Sequence, residues 1–248
     1  MKGMITVLKN KVAVITGASR GIGKGIVEKL SDHELKLVLL GSSDEIHQSA
    51  EQIKKKVKDA NSIMSLQTDI TNEQEVEQAF TKIYDQFEAV DILVNNAGVG
   101  FFKLAEETSA DEWRNIFDIN VHGMFFCTKA VLPHMKNKRS GTIINISSDV
   151  GRRTIANGSA YTATKYAVQG FTGSLSQEVR EFGIRVGTLN PGMVDTYFAN
   201  STQGLPEKKD WMKVEDIANA VIYMASAPSY MVIDEIVLHP LIQDYPLA

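Results

Sequence analysis

The stretch from Val12 to Leu30 restricts the fold of this chain more than any other. Val12-Ala13-Val14-Ile15 is a short apolar run that halts at Thr16-Gly17. An unbroken apolar run closed by glycine reads as a strand buried on both faces of a parallel sheet. Gly17-Ala18-Ser19-Arg20-Gly21-Ile22-Gly23 follows as a turn, and Ile22, Ile26, Val27 and Leu30 then recur at helical spacing. Strand, glycine turn and helix in that order point to a βαβ unit and so to an α/β fold. N–H groups of the turn and of the helix N-terminus can hold a pyrophosphate there, and the missing Cβ atoms let it approach. The spacing is Gly-x-x-x-Gly-x-Gly, not the more familiar Gly-x-Gly-x-x-Gly. The flanking strand and helix therefore carry the reading, against an ordinary βα turn that happens to be glycine-rich.

The alternation continues to the end of the chain. Leu35 to Leu40 reads as the second strand, Glu45 to Lys58 as a polar helix, and Ser62 to Gln67 as a short strand. Glu73 to Phe87 is a helix whose stripe of Val76, Phe80, Ile83 and Phe87 belongs to a core. Asp91 to Val94 is a fourth strand ending in Asn95-Asn96-Ala97-Gly98, and a long helical pattern runs from Ser109 to about Lys136. Strand five spans Thr142 to Ile146, the next helix about Ser159 to Phe182, and strand six Ile184 to Leu189. A helix from Val214 to Ala225 and a strand from Asp234 to Leu238 complete the series. No linker, composition shift or internal repeat interrupts it. The expected fold is one Rossmann-type, doubly wound α/β domain over residues 1–248, a seven-stranded parallel sheet with helices on both faces. Its cofactor half would extend to about residue 150 and its catalytic and substrate half over about 141–248.

In such sheets ligands lie outside the carboxyl ends of the strands. Gly17 to Gly23, Ser42, Asp69, Asn96, Ser148 and Pro191-Gly192 all follow predicted strand ends. A carboxylate after strand two would suit a ribose 2′-hydroxyl, whereas a 2′-phosphate needs donors or positive charge. Positions 41–43 are Gly-Ser-Ser, Asp44 comes later, and Arg20 offers a guanidinium. That set favours NADP(H) over NAD(H), with Arg20 as a plain surface charge the competing reading. Asp69 could accept from an adenine amino group or cap the next helix with Thr71 and Asn72. Tyr161 and Lys165 lie one turn apart on a helix and share a face. Ser148 precedes them across a loop holding Gly151 and Gly158, so a hydroxyl, a phenol and an ammonium can converge at the sheet's end. Asn120 is a polar residue on an otherwise apolar helical stretch, where a satisfied buried amide is the structural alternative. Tyr197 to Trp211 is polar, holds glycine and proline, lacks periodicity, and reads as a lid.

Composition excludes several classes. Net charge is −4, so no general affinity for nucleic acid or anionic membranes is expected, and Lys54-Lys55-Lys56 reads as a solvated face. Cys127 is the only cysteine, which rules out an intrachain disulfide and fits a reducing compartment. It sits in an apolar run and reads as core. No apolar run approaches the roughly 20 residues of a membrane span. The apolar part of Met1 to Ile5 is too short for a secretory signal, so a cytoplasmic location is expected. His122 and His134 have no partner at metal-ligand spacing, so no metal is expected.

Taken together, Thr16-Gly-Ala-Ser-Arg-Gly-Ile-Gly23, Asn95-Asn-Ala-Gly98, Asn120, Ser148, Tyr161-x-x-x-Lys165 and Pro191-Gly192 resemble the short-chain dehydrogenase/reductase family over nearly the whole chain. The resemblance implies a catalytic tetrad of Asn120, Ser148, Tyr161 and Lys165. It implies cofactor contacts at Gly17, Ser19, Arg20, Gly21, Ile22, Gly23, Ser42, Asp69, Ile70, Asn96, Ala97, Gly98, Tyr161, Lys165, Pro191, Gly192, Val194 and Thr196. It also implies a homotetramer or homodimer, with the Asn120 and Tyr161 helices against a partner subunit. Within the family the chain is similar to bacterial 3-oxoacyl-(acyl-carrier-protein) reductases, which suggests a small-molecule or carrier-linked carbonyl substrate. Its end, Asp234 to Pro240, lacks their glycine pair and looks more like 3-hydroxy acid (serine-type) dehydrogenases and sepiapterin-reductase-like members. A silent dinucleotide-binding protein on the same fold is the remaining alternative.

The expected chemistry follows from the residues. A free phenol has a pKa near ~10, too high for efficient proton transfer at neutral pH. A positive charge at Lys165 is expected to favour the ionised phenol. Tyr161 would then protonate a carbonyl oxygen as hydride reaches its carbon, and Ser148 would hydrogen-bond the same oxygen. Lys165 would hold the nicotinamide ribose, and Asn120 would position a water that re-supplies the proton.

Overall fold

A computed structural model describes residues 7–244. Met1 to Ile5, read above as too short for a signal, lie outside the described residues. The elements are β1 (Val12–Thr16), α1 (Gly21–Ser31), β2 (Lys36–Gly41), α2 (Glu45–Lys54), β3 (Ile63–Gln67), α3 (Glu73–Phe87) and β4 (Ile92–Asn95). After these come α4 (Ala110–Phe117), a π turn (Asp118–His122), α5 (Gly123–Lys138), β5 (Gly141–Ile146), α6 (Ser159–Val179), β6 (Ile184–Pro191), α7 (Val214–Ala225) and β7 (Glu235–Leu238). The seven strands form one sheet in the order β3-β2-β1-β4-β5-β6-β7, and all pairs are parallel.

Side chains alternate across a strand, so each apolar strand feeds two cores. Ala13, Ile15, Leu37 and Leu39 face a layer made by Ile26 and Leu30 of α1, Ile46 and Ile53 of α2, and Ile217 and Val221 of α7. Val12, Val14, Val38 and Leu40 face Val76, Phe80 and Ile83 of α3, Val131 and Met135 of α5, and Leu175 and Val179 of α6. Each fully buried side chain of this kind contributes about 1.5–3 kcal/mol. A one-residue slip of any central strand would exchange its two sets of partners. Gly25 lets α1 meet α7, since a Cβ there would lie 2.9 Å from Val214.

Two elements differ from expectation. The second helix stops at Lys54, short of the expected Lys58, and Lys55 and Lys56 beyond it are exposed. The helix expected from Ser109 to Lys136 is broken by the π turn. It starts with a capping box, Ser109 Oγ accepting from Glu112 N at 3.1 Å while Glu112 accepts from Ser109 N at 2.9 Å. The π turn inserts one residue and carries buried Asn120.

Candidate active site

The strand order reverses between β1 and β4, which opens a crevice at their carboxyl ends. The glycine turn leaves β1 on one side of it, and Asn96 to Gly98 leave β4 on the other. Thr16 Oγ1 accepts from Asn96 N and Ala97 N at 3.0 Å each, while Asn96 Nδ2 donates to Thr16 O at 2.9 Å and Gly17 O at 3.1 Å. The Asn96 amide thus fixes the glycine turn and is directed at the protein. Gly17 has φ 64°, and a Cβ on it would lie 2.7 Å from Ala97 Cα; a Cβ on Gly23 would overlap Gly17 O. Gly21, at φ 56°, has nothing nearer than Thr196 at 3.9 Å. Helix α1 begins there with no side-chain cap at Arg20 and no acidic residue in its first turn. Ile22 stands in that turn, half-buried against the core. This positive helix end, with glycine backbone in front of it, fits a pyrophosphate.

The adenosine side is set by β2 and β3. Ser19 Oγ packs over the end of β2, 2.5 Å from where a Cβ of Gly41 would stand, and Ser49 Oγ donates to Ser19 O at 2.7 Å. Ser42 is exposed beyond Gly41. Arg20 is exposed too, its guanidinium 5.7 Å from the centre of the Tyr197 ring. Asp69 at the end of β3 accepts from Thr71 N at 2.9 Å and Thr71 Oγ1 at 2.8 Å, while Asn72 caps α3. Ile70 is buried on Gly123, where a Cβ would lie 2.5 Å from its Cδ1.

Helix α6 turns Tyr161 and Lys165 inward, and both are buried. Lys165 Nζ donates to Ile146 O at 3.0 Å and lies 5.6 Å from the centre of the Tyr161 ring. It stands beside Gly98, where a Cβ would be 3.7 Å from Nζ and 3.3 Å from Asn120 Oδ1. Ser148 follows β5 by two residues; its Oγ accepts from Val150 N at 3.3 Å and reaches Asp149 Oδ1 at 3.1 Å and Pro191 O at 3.3 Å. Asn120 Oδ1 accepts from Val99 N at 2.8 Å, and its Nδ2 donates to Val99 O at 2.9 Å and Thr164 Oγ1 at 3.0 Å. Its amide therefore clamps the loop after β4 to α6, and both of its N–H donors are engaged by protein.

Burial dominates the electrostatics of the pair. Burial raises the Tyr161 phenol well above its ordinary value; interaction with Ser148 opposes this and the charge of Asp149 adds to it. Burial also pushes Lys165 down to about 8. Loss of water penalises both charges and is the leading cause at each group. A phenol whose ionised form is disfavoured by burial suits an acid more than a base.

The loop after β6 closes the site. Gly192 N donates to Leu238 O at 2.7 Å, Thr196 Oγ1 lies 3.4 Å from Val194 O, and Val194 bridges to Met212. Several contributors carry no sequence signal. Asp149 is buried, and its Oδ2 accepts from Arg153 at 2.6 and 2.9 Å and from Gln243 Nε2 at 2.6 Å. Gln243 Oε1 in turn accepts from Met193 N at 2.9 Å, so the far end of the chain is tied to both Ser148's neighbour and the β6 loop. Buried Lys208 donates to Thr196 O at 2.8 Å and Thr202 O at 2.7 Å, which braces the lid from within. Phe198 of the lid lies 5.2 Å from Tyr161 ring to ring, over Gly100, where a Cβ would overlap it.

The sequence profile of the family described as short chain dehydrogenase matches residues 11–204. The chain belongs to that family. It is an oxidoreductase, and its relatives match most of its length. An uncharacterised oxidoreductase of Staphylococcus saprophyticus is 36% identical over 236 residues, 94% of this chain and 98% of the relative. Among solved structures, an alcohol dehydrogenase from the archaeon Thermococcus sibiricus complexed with 5-hydroxy-NADP shares 33% identity. Its TM-score is 0.88, over 96% of this chain and 99% of that one. A 3-ketoacyl-(acyl-carrier-protein) reductase from Brucella melitensis complexed with NADH shares 29% identity with a TM-score of 0.84, over 94% and 98% of the two chains. For a short chain dehydrogenase, the parallel sheet and the crevice at its topological switch are the expected frame. No helix among the described residues is long and apolar enough to cross a membrane.

Proposed function

We propose that this short chain dehydrogenase reduces a carbonyl to an alcohol with NADP(H), through Asn120, Ser148, Tyr161 and Lys165. The observation that carries the proposal is a buried phenol, Tyr161, set between Ser148 and Lys165 at the crevice where the glycine turn opens. NADP(H), when bound, supplies the hydride. Tyr161 gives its proton to the carbonyl oxygen as charge builds there, and Ser148 Oγ hydrogen-bonds the same oxygen. Lys165 holds a ribose hydroxyl, and its positive charge favours the phenolate left behind. Asn120 acts by holding the Val99 loop, and with it Gly98, beside Lys165.

Arg20 and the absence of an acid at 41–43 support NADP(H), as does the nucleotide in the archaeal neighbour. The Brucella reductase carries NADH, so titration of both nucleotides by fluorescence is the direct comparison. Tyr161→Phe should abolish turnover and leave NADPH binding intact; retained turnover would refute the assignment. A 3-oxoacyl thioester, as in the Brucella reductase, is one substrate of the proposed class, and a free 3-hydroxy acid in reverse is the rival reading. We read residues 1–248 as one catalytic unit working in the cytoplasm. Exposed Trp113, Phe125 and Tyr166 on α4, α5 and α6 support self-association as a dimer or tetramer, which light scattering tests.

A further inference from the structure

The surroundings of Tyr161 bear on what is reduced, on the basis that Tyr161 is the proton donor. Two loops flank this ring, residues 99–104 after β4 and the lid after β6. Both present apolar side chains at the surface, where polar ones are the norm. Phe102 and Leu104 are exposed on the first and Phe198 on the second. Phe102 meets the Tyr161 ring edge-on at 6.2 Å, and Phe198 tilts against it at 5.2 Å. Val150 and Ile155, from the loop after β5, join Tyr161 in one apolar cluster. Exposed rings converging on a buried polar atom mark a surface that an apolar ligand covers.

The charges point the same way. Arg153 is paired with Asp149, Arg152 with Glu235, and Lys103 with Glu112 at 2.6 Å. Lys208 is taken up by lid carbonyls, Lys213 by Asp195 at 3.3 Å, and Lys165 by Ile146 O. Asp149, next to Ser148, adds negative charge that is felt at Tyr161. A substrate carboxylate one or two bonds from the reacting carbon would lose its water against phenyl rings, where the neighbouring arginines are already paired with Asp149 and Glu235.

We infer that the substrate is a neutral carbonyl compound with apolar or aromatic substituents beside the reacting carbon, and that the site discriminates against the free oxo acid. A 3-oxoacyl thioester stays within this class; a free 3-hydroxy acid does not. The mouth formed by Phe102 and Phe198 sets the preference.

A matched pair tests this on the full-length protein: ethyl benzoylacetate against benzoylacetate, with NADPH as reductant. The ester should exceed the acid in kcat/KM by at least about 100-fold, because the acid brings an unpartnered charge into an apolar site. Phe198→Arg, an exposed lid position, should narrow that ratio by about tenfold or more by supplying the missing cation. Equal or better reduction of the acid overturns the inference and leaves hydride transfer standing. So does an ester left unreduced by protein that binds NADPH. A ratio unmoved by Phe198→Arg removes the lid from the site and overturns it as well. Failure to bind either NADPH or NADH refutes the hydride-transfer reading itself, and the substrate inference falls with it.

Discussion

Asn120→Ala separates two roles for one amide. The side chain is buried and makes three hydrogen bonds of 2.8 to 3.0 Å, two to the backbone of Val99 and one to Thr164 Oγ1. At about 1 kcal/mol per bond, the substitution costs about 3 kcal/mol. Val99 is exposed enough for water to replace part of this, so the figure is an upper bound. For a chain of this size 1 kcal/mol moves Tm by about 2–4 °C, which gives a fall of about 6–12 °C at most. Thermal unfolding followed by circular dichroism reads it directly. Turnover should fall as well, since Gly98 is no longer held beside Lys165. Asn120→Asp keeps the acceptor for Val99 N but turns a carboxylate oxygen toward Val99 O, and it should be no better than alanine. An amide whose task is to hold a water would predict lost turnover with Tm unchanged. A Tm within about 1 °C of wild type would therefore refute the clamp, given the cost assigned to its bonds.

Arg20→Ala should raise KM for NADPH by about 10- to 100-fold, the worth of a charge-assisted hydrogen bond, and hardly alter that for NADH; equal effects on both would assign Arg20 to the lid's Tyr197 instead. Lys165 is held at about 8 in the fold against an ordinary 10.5. Between about pH 8 and pH 10 the unfolded chain therefore keeps a proton that the native chain has released, and native stability rises with pH. Urea unfolding of the wild type and Lys165→Met across that window should show the gain only in the wild type; parallel curves would contradict it. Above pH 10 the raised phenol of Tyr161 acts in the opposite direction. Cys127 is fully buried and its thiol is pushed up to about 12, so it should resist thiol reagents until denaturant is added. Labelling of the native protein at the rate of a free thiol would contradict its core placement.

Most of the framework was legible because strands buried on both faces leave short apolar runs between glycines, and their bounds fell within a residue or two of those observed. Site residues at strand ends followed from the same logic. Interactions between distant segments left no such trace. Gln243 reaches Asp149 and Met193 from the far end of the chain, and a lone glutamine has no local pattern to announce this. Lys208 reads as a surface lysine, yet its ammonium lies buried among lid carbonyls. A buried polar chain has no local sequence pattern either. Asn95 Nδ2 donates to Asn145 Oδ1 and Thr128 Oγ1, and Asn145 Nδ2 donates to Thr172 Oγ1, linking β4, β5, α5 and α6. The Tyr161–Lys165 pair was visible, but the depth at which both groups are buried was not. Spacing records how close two charges stand and says nothing about how much water each has lost.

The π turn at 118–122 bears on how this chain tolerates changes of length. The apolar stripe lies inward on both sides of it, at Ile116 before and at Cys127, Val131 and Met135 after. A single-residue deletion inside the turn would restore ordinary α-helical bonding and leave both stripes in phase. What it would remove is the inward offset of Asn120, and with it the grip on Val99. Such a shortened chain would keep its hydrophobic architecture while its active site loosened. Among homologous sequences, a one-residue gap here is therefore a marker to look for when an intact fold has lost its activity.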